Sequence, residues 1–548
     1  MNNRKAKRKK ESIPKMLQGL LAEILDWIIC IYMFLILAVM PFYHQEGYTH
    51  IGTDKSYFFR QCAQKAAFLI LPLLALYLVA TGVVFIQEKR GSSFQVTTWL
   101  KTHFSVTDWF ALAYGLSVLL SYACSAYKKE ALIGTRGWYM GLYPQLAFMA
   151  GYFVISRMWK KEYAIPLSAI LASAVVFLLG IINCFGIYPI DMKVKNNAFI
   201  STIGNVNWYC GYLTAVFFGG LALFWQMSRK QWKYRVLLAV YVFVGFTSLV
   251  TQGSSSGIVA LVAVLFVLFC LSAEDGRLMR AFWEAMLLLS AGGLMCWLIQ
   301  MFGWGKLSVW AGGEGLLGLL NNSSLSLIMT IMSLSLLLCV VSANRSKSYP
   351  AAIFGKWAKI LGCAGAGLLA LFVAILVVNT LTEGKISNVL GLPPDNPLTF
   401  TPAWGSNRGA TWRVGIRCFL QQDFLHKLVG AGPDCMSAFL YNGASKELTG
   451  WVENWFVGSR LTNAHNEWLT ILINEGVLGC ICYVGMMCSA IWRFLKDRKR
   501  SIVAGACGFC VLAYTVNNLF SFQQSMNAAT IFIIMGMGEN FLRENRKR

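Results

Sequence analysis

An all-α, polytopic membrane protein is the fold this sequence predicts, on three observations. Of its 548 residues, 57% are hydrophobic and only 13% are charged, where soluble domains run nearer a quarter charged. Apolar runs of about 20 residues, the length that crosses a bilayer, recur along nearly the whole chain. Lys and Arg number 48 against 25 Asp and Glu, and their placement follows membrane sidedness rather than nucleic-acid binding. No room is left for a large soluble domain.

The chain opens on a basic stretch, Arg4, Lys5, Lys7, Arg8, Lys9 and Lys10. A full-length apolar run follows, with no A-x-A-like cleavage site, so the pair reads as an uncleaved topology anchor. Fourteen apolar runs bounded by charged or turn residues predict spans at 19–40, 66–86, 107–126, 139–156, 163–189, 207–227, 236–251, 256–273, 281–303, 323–342, 360–380, 467–492, 501–519 and 525–542. With the N-terminus inside, 32 Lys and Arg fall in inside segments and nine in short outside loops. Seven more lie in one long outside loop, and long loops translocate largely regardless of charge. Both termini are therefore expected in the cytoplasm. The chain divides into an N-terminal bundle of about eleven helices (1–380), a long extracytoplasmic loop (381–465) and about three C-terminal helices (466–548).

A loop of that length without a functional or structural reason is uncommon. It opens on turn-forming sequence from Gly391 to Pro397. Trp412, Ile416, Phe419 or Leu420, Phe424 and Leu428 then recur at helical spacing. They predict an amphipathic helix on the membrane surface or against the bundle, ended by Gly430-Ala431-Gly432-Pro433. Arg413 and Arg417 share one face of it, and Arg408 stands near its start. Guanidinium forks match phosphate oxygens; the alternative is a basic face turned to solvent or headgroups. Trp404, Trp412, Trp451 and Trp455 read as interface anchors or as platforms for sugar rings.

At the end of the loop, Asn463 is the expected N-cap of the next helix. That puts His465 in the first turn, where the helix dipole favours a neutral imidazole suited to taking a proton from a hydroxyl. Glu475 falls about 15 Å further along the same axis, and a carboxylate inside an apolar span is a candidate for function or for polar packing.

Other chemistries lack their residues. The nine Asp form no D-x-D pair, so a metal–nucleotide-sugar site has no obvious ligands. Neither H-E-x-x-H nor H-x-H occurs. The glycines at 362–367 and 312–318 sit in or beside helical runs, not after a strand. Ser254-Ser255-Ser256-Gly257 has no G-x-S-x-G frame. Most of the sixteen Cys lie in apolar runs, and Cys480/Cys482 and Cys507/Cys510 have no His partners, which argues against zinc. Cys418 and Cys435 could pair in the outside loop.

The order of motifs resembles the O-antigen ligase and O-antigen polymerase superfamily of bacterial membrane glycosyltransferases. Arg-x-x-x-Trp is Arg408…Trp412, and Gly-x-Gly-Pro is Gly430…Pro433. Ala-His-Asn-x-x-Leu-(x)5-Glu-Gly-x-x-Gly is Ala464-His465-Asn466…Leu469…Glu475-Gly476…Gly479. Weaker echoes are Gly204-Asn205-Val206-Asn207 and Thr135-Arg136-Gly137…Gly141-Leu142. The motif-bearing part covers roughly 75 residues.

The resemblance implies a GT-C-like architecture and no cofactor. Its donor would be a glycan on a polyprenyl diphosphate, and its acceptor a hydroxyl of a glycan or glycolipid on the outer face of the cell membrane. His465 would activate the acceptor, and Arg408 would bind the diphosphate. Arg136, Arg413, Arg417, Asn466 and Glu475 are the further substrate-binding candidates. Membrane lipids and a chain-length regulator or other polysaccharide-assembly protein are the expected partners, with no nucleic acid.

One departure stands out. Many members of the superfamily that the chain resembles carry Ser-Arg-Gly at the head of a middle span, where it has Ser255-Ser256-Gly257. Either Arg136, Arg413, Arg417 or Arg460 substitutes, or diphosphate handling differs, or the chain is an inactive relative. Fourteen runs also exceed the twelve or so of the ligase branch, which leans toward a polymerase or a divergent group. The competing classes are a flippase for the same lipid-linked glycan, with Glu23, Asp26 and Glu284 as its best features, and a structural scaffold in which His465 and Arg408 are dispensable.

Overall fold

The computed structural model describes residues 12–88, 100, 102–194, 198–307, 318, 320–321, 324–393 and 396–544. The basic start, the glycines at 312, 313 and 315, and Pro394-Asp395 lie outside the described residues. Within them the chain is all-α, with 21 helices and one two-stranded antiparallel ladder, β1 (Phe199–Ile200) against β2 (Gly204–Asn205).

A helix stands at each of the fourteen apolar runs. In the first part of the chain these are α1 (Ile13–Phe34, extended by a π turn and a 3-10 turn to Phe42), α2 (Ile51–Glu88) and α3 (Val106–Cys124). After the short α4 (Lys128–Ile133) come α5 (Leu142–Met158), α6 (Ala164–Cys184), α7 (Val206–Gln226) and α8 (Trp232–Thr251). Next are α9 (Ser255–Ser272), α10 (Gly276–Met301), α11 (Leu325–Arg345) and α12 (Ala351–Leu381). The loop contributes α13 (Lys385–Val389), α14 (Trp404–Gln421), α15 (Phe424–Val429), α16 (Met436–Asn442) and α17 (Lys446–Trp455). The chain ends with α18 (Glu467–Asn474), α19 (Gly476–Lys496), α20 (Ile502–Asn517) and α21 (Ser525–Glu544).

Eleven of these helices are long and apolar enough to cross a membrane, so the chain is a polytopic membrane protein. Three predicted spans fall short of that measure. Two are short, α5 with 17 residues and α20 with 16. The third, α21, is 20 residues long but carries Asn527, Thr530, Glu539 and Asn540. All four are buried, because α21 packs in the centre of the bundle beside α7 and α20. A helix facing protein instead of lipid can carry polar groups if they are paired. Glu539 is held by Arg493 at 2.5 Å, and Asn540 donates to the carbonyls of Ile155 and Trp159 at 3.0 and 2.9 Å. The peripheral helices show the reverse pattern: α12 exposes Leu368, Leu369, Leu371 and Val373.

The turns sort cleanly into two ends. At the end carrying both termini, Arg157 and Arg543 bind Asp108, Lys160 reaches Glu23, Gln226 donates to the Ile502 carbonyl, and Asn344 to that of Gly276. At the opposite end, Tyr48 bonds the Ser201 carbonyl, Thr53 pairs with Tyr139, Asp434 binds the 135–140 turn, and Arg408 reaches Phe520. Among the described residues, the helix ends alternate between these two groups. The long loop joins the second group.

That loop folds into helices with a core of its own, built from Val414, Cys418, Met436, Leu440, Leu448, Val452, Leu461, Ala464 and Ile473. The predicted amphipathic helix differs in two ways. It is interrupted after Gln421, where Asp423 caps α15 by accepting from the His426 N–H at 2.9 Å. Its buried face is also the small-residue one: Ala410, Thr411, Val414, Gly415 and Cys418 pack inward, and Ile416, Leu420 and Phe424 are exposed. Close approach explains this, since a Cβ on Gly415 would lie 2.7 Å from the Leu469 side chain. Cys418 and Cys435 are both buried free thiols in separate clusters, so the pairing considered from sequence does not form.

The predicted span 467–492 is likewise two helices. It breaks between Glu475 and Gly476, whose φ is +69°. A Cβ on Gly430 would lie 2.0 Å from the Asn474 carbonyl oxygen. The α15–α16 segment thus crosses directly against the break, and the Gly-x-Gly-Pro motif is what lets it through.

Candidate functional site

Two adjoining cavities open at the loop end of the bundle. One, of about 300 Å3, is lined by Val206 and Asn207 at the start of α7 and by Gly253–Ser255 at the start of α9; Ser406, Asn407, Arg408, Thr411, Phe456 and His465 complete it. The other, of about 400 Å3, is bounded by Ser255, Val259, Asn396, Pro397, Trp404, Arg408 and Phe520, among others. Arg408 and Ser255 belong to both.

Arg408 is only 9% exposed. Its Nε donates to the Phe520 carbonyl at 2.7 Å and its Nη1 to that of Gly405 at 2.9 Å. Burial lowers its pKa from the ordinary 12.5, but a guanidinium keeps its charge at neutral pH. Trp404, Trp412, Phe400 and Phe520 form an aromatic cluster beside it, with ring centroids 5.5–6.0 Å apart. Trp451 and Trp455 stack on each other separately at 5.6 Å.

His465 sits at the mouth of α18, but not as its sequence position suggests. Asn466 is the N-cap, accepting from the Leu469 N–H at 3.1 Å. Asn463 instead accepts from the backbone N–H of His465 at 2.9 Å, and His465 adopts φ +50°. The histidine therefore precedes the helix, and the expected dipole argument gives way to another cause. Burial, and secondly the Arg408 charge, push its pKa down from 6.5 to about 4. The ring packs edge-on against Phe522 at 5.0 Å. A neutral imidazole and a guanidinium thus share one cavity, a proton acceptor beside a fixed positive charge.

The other candidates disperse. Arg136 and Arg417 are exposed. Arg413 donates to the Phe400 carbonyl and lies 5.6 Å over its ring. Arg460 lies 4.4 Å over the Tyr441 ring. Among the described residues, Arg408 is the one arginine lining either cavity. Nor does the serine turn leave space for an arginine of its own. Ser256 is fully buried, with its Oγ 2.9 Å from that of Ser254 and 3.6 Å from the Cys210 thiol. Asn466 spends its side-chain oxygen on the cap.

Glu475 lies elsewhere, at the α18–α19 break. With Glu467 and Asp434 it lines a closed pocket of about 20 Å3. Its Oε1 accepts from Gln145 at 2.9 Å, and its Oε2 has no partner among the described residues. Asp434, which sequence reasoning missed, accepts from the backbone N–H groups of Thr135 and Met140 at 2.7 and 3.0 Å. Burial pushes its pKa up from 3.8 to about 7. Its sequence signal was its place directly after Gly-x-Gly-Pro. Asn207, Ser254, Ser255 and Thr411 also line the site; the first three stand in stretches the sequence singles out, and Thr411 does not.

Fold and site together define a polytopic membrane protein with a cavity at one end that is lined by a neutral histidine and a buried arginine. No protein-family model matches the chain, and no curated protein matches it in sequence.

Proposed function

We propose that the protein is a membrane glycosyltransferase of the O-antigen ligase or polymerase kind, with a GT-C-like architecture, about fourteen membrane helices, its loop end outside and both termini in the cytoplasm. It transfers a glycan from a polyprenyl diphosphate to a hydroxyl of an acceptor glycan or glycolipid. One observation carries the reading: His465 and Arg408, far apart in sequence, line the same cavity of about 300 Å3. The acceptor oxygen forms a bond to the anomeric carbon, and the bond from that carbon to the diphosphate oxygen breaks, leaving its electron pair on the diphosphate. His465 takes the hydroxyl proton. Arg408 faces the charge that develops on the leaving group, and preorganised charge of this kind is usually the largest catalytic contribution. Two helix starts at the same cavity, those of α7 and α9, add positive dipole ends.

The flippase alternative loses its polar features. Glu23 pairs with Lys160 at 3.8 Å, Asp26 accepts from the Lys160 N–H at 2.7 Å, and Glu284 is held by arginines.

The test is a gel profile of surface glycans and lipid-linked precursors from a deletion strain, rescued with wild type, His465→Ala or Arg408→Lys. Both variants should insert normally and fail to transfer, since a lysine cannot reproduce the guanidinium fork. Single repeat units in the deletion strain identify a polymerase, and full-length chains stranded on the carrier a ligase. Normal polymer with His465→Ala overturns the assignment, as do precursors trapped on the inner face.

A further inference from the structure

At the terminal end of the bundle, the Glu284 carboxylate is surrounded by three guanidinium groups. Arg229 and Arg280 donate to its Oε1, the latter from Nε at 3.1 Å, and Arg235 donates to Oε2 at 2.5 Å. One negative charge against three positive leaves a surplus of two. The neighbouring acids in sequence do not supply it, because Glu274 is engaged by Lys359 at 3.2 Å and Asp275 by Arg277 at 3.4 Å.

Arg235 is committed internally. Its Nη1 reaches the carbonyls of Phe224 and Met227 at 2.7 and 3.0 Å, and its guanidinium lies 4.3 Å over the Phe224 ring. Arg229 and Arg280 differ, with side chains 44% and 31% exposed. Among the described residues, each gives Glu284 a single N–H. A guanidinium has five, in a fork that fits two phosphate oxygens. Beside them, Trp232 and Tyr234 are exposed, as aromatic side chains at headgroup level are. Further along α8, Val236 and Val240 present an exposed apolar strip.

We infer that Arg229 and Arg280 bind the phosphodiester of an anionic phospholipid, with its acyl chains lying along α8. The surplus charge selects an anionic headgroup over a zwitterionic one. The apolar strip selects a lipid over a free phosphate. The inference rests on the span assignment and is independent of the proposed transferase chemistry.

Full-length protein, purified in zwitterionic detergent and stripped of lipid, is titrated with dihexanoyl phosphatidylglycerol, dihexanoyl phosphatidylcholine or inorganic phosphate while its melting is followed. Phosphatidylglycerol should raise Tm at concentrations about tenfold lower than phosphatidylcholine does. Inorganic phosphate should leave Tm unchanged. Arg229→Gln should erase the preference without loss of fold, and Arg277→Gln, at a pair outside the cluster, should keep it. An equal response of wild type to both lipids overturns the site. So does a preference that survives in Arg229→Gln, or inorganic phosphate matching phosphatidylglycerol.

Discussion

His465→Gln and Asp434→Asn should tilt the pH dependence of stability in opposite directions. The imidazole titrates at about 4 in the folded protein against an ordinary 6.5. Between those values the unfolded chain binds a proton that the folded one refuses, so this group removes stability as pH falls through the window. At 1.36 kcal/mol per pH unit the gap is worth at most about 3 kcal/mol, less because the ring is only half-buried. Asp434 works the other way. Its folded carboxyl titrates at about 7 against 3.8, so the folded state keeps a proton that the unfolded chain gives up. Its contribution is lost as pH rises from about 4 to about 7, by a ceiling of about 4 kcal/mol. Removing the histidine should leave a protein that gains stability relative to wild type on acidification; removing the aspartate should leave one that loses it. Asparagine keeps an oxygen for the Thr135 and Met140 N–H groups, so Asp434→Asn removes the carboxyl without breaking those two bonds. The assay is thermal melting of each purified protein between about pH 7.5 and pH 4.5. Parallel pH curves for both variants and wild type would refute the reasoning.

Four further outcomes follow from particular positions. Gly476→Ala forces a side chain to φ +69° with its Cβ 2.3 Å from the Leu428 carbonyl oxygen, and should cost more than about 3 kcal/mol. Gly450→Ala, with nothing within 4 Å of its Cβ on α17, should be neutral or stabilising by up to about 1 kcal/mol in the same melting assay. Ser256→Arg should reduce the level of folded membrane protein, because that hydroxyl is sealed against Cys210 and Ser254; a variant that accumulates at the wild-type level with the wild-type Tm would contradict the packing. Asn454→Cys, exposed on α17, should react with an impermeant maleimide on intact cells, and Lys347→Cys only after permeabilisation; the reverse pattern would invert the topology.

The helices were legible because an apolar run bounded by charge has few alternatives in a bilayer. Their interruptions were not. Nothing in the run 467–492 marks a break at Glu475, since Gly476 is one of several glycines there, and its left-handed φ is imposed by the 428–430 backbone crossing it. The same crossing moves Glu475 from a supposed mid-span position into the small pocket with Glu467 and Asp434. The cap at α18 differs from the expected one for a local reason. Asn463 and Asn466 can both serve, and the chain uses one for the turn that holds His465 and the other for the helix. Periodicity marks only the large apolar face of α14, and of the two placements it leaves open the exposure of Ile416 and Leu420 fits the membrane surface; the opposite, small-residue face, which lets α14 approach α18, has no such signal.

What sequence could least reveal is how Arg408 is aimed. Gly405, Ser406 and Asn407 take three successive left-handed conformations, with φ of 60°, 59° and 68°. For Ser406 and Asn407 this costs about 1–2 kcal/mol each. Such strain persists only where surrounding bonds over-determine it, and they do. The Ala410 N–H donates to the Pro402 carbonyl at 2.8 Å, the Asn407 N–H to that of Ala403 at 3.1 Å, and Arg408 itself to that of Gly405 at 2.9 Å. The next residue must be Gly409, because a Cβ there would lie 1.9 Å from the Thr401 carbonyl oxygen. The turn therefore folds back on the segment before it, and its only long side chain points into the space between the two cavities. Ser406 and Asn407 line the cavity with His465 as well, so the strained backbone is part of the site's wall. Relaxing it would cost little stability and would move the one guanidinium that both cavities share. An arginine held this way needs no second arginine at Ser256 to hold it in position.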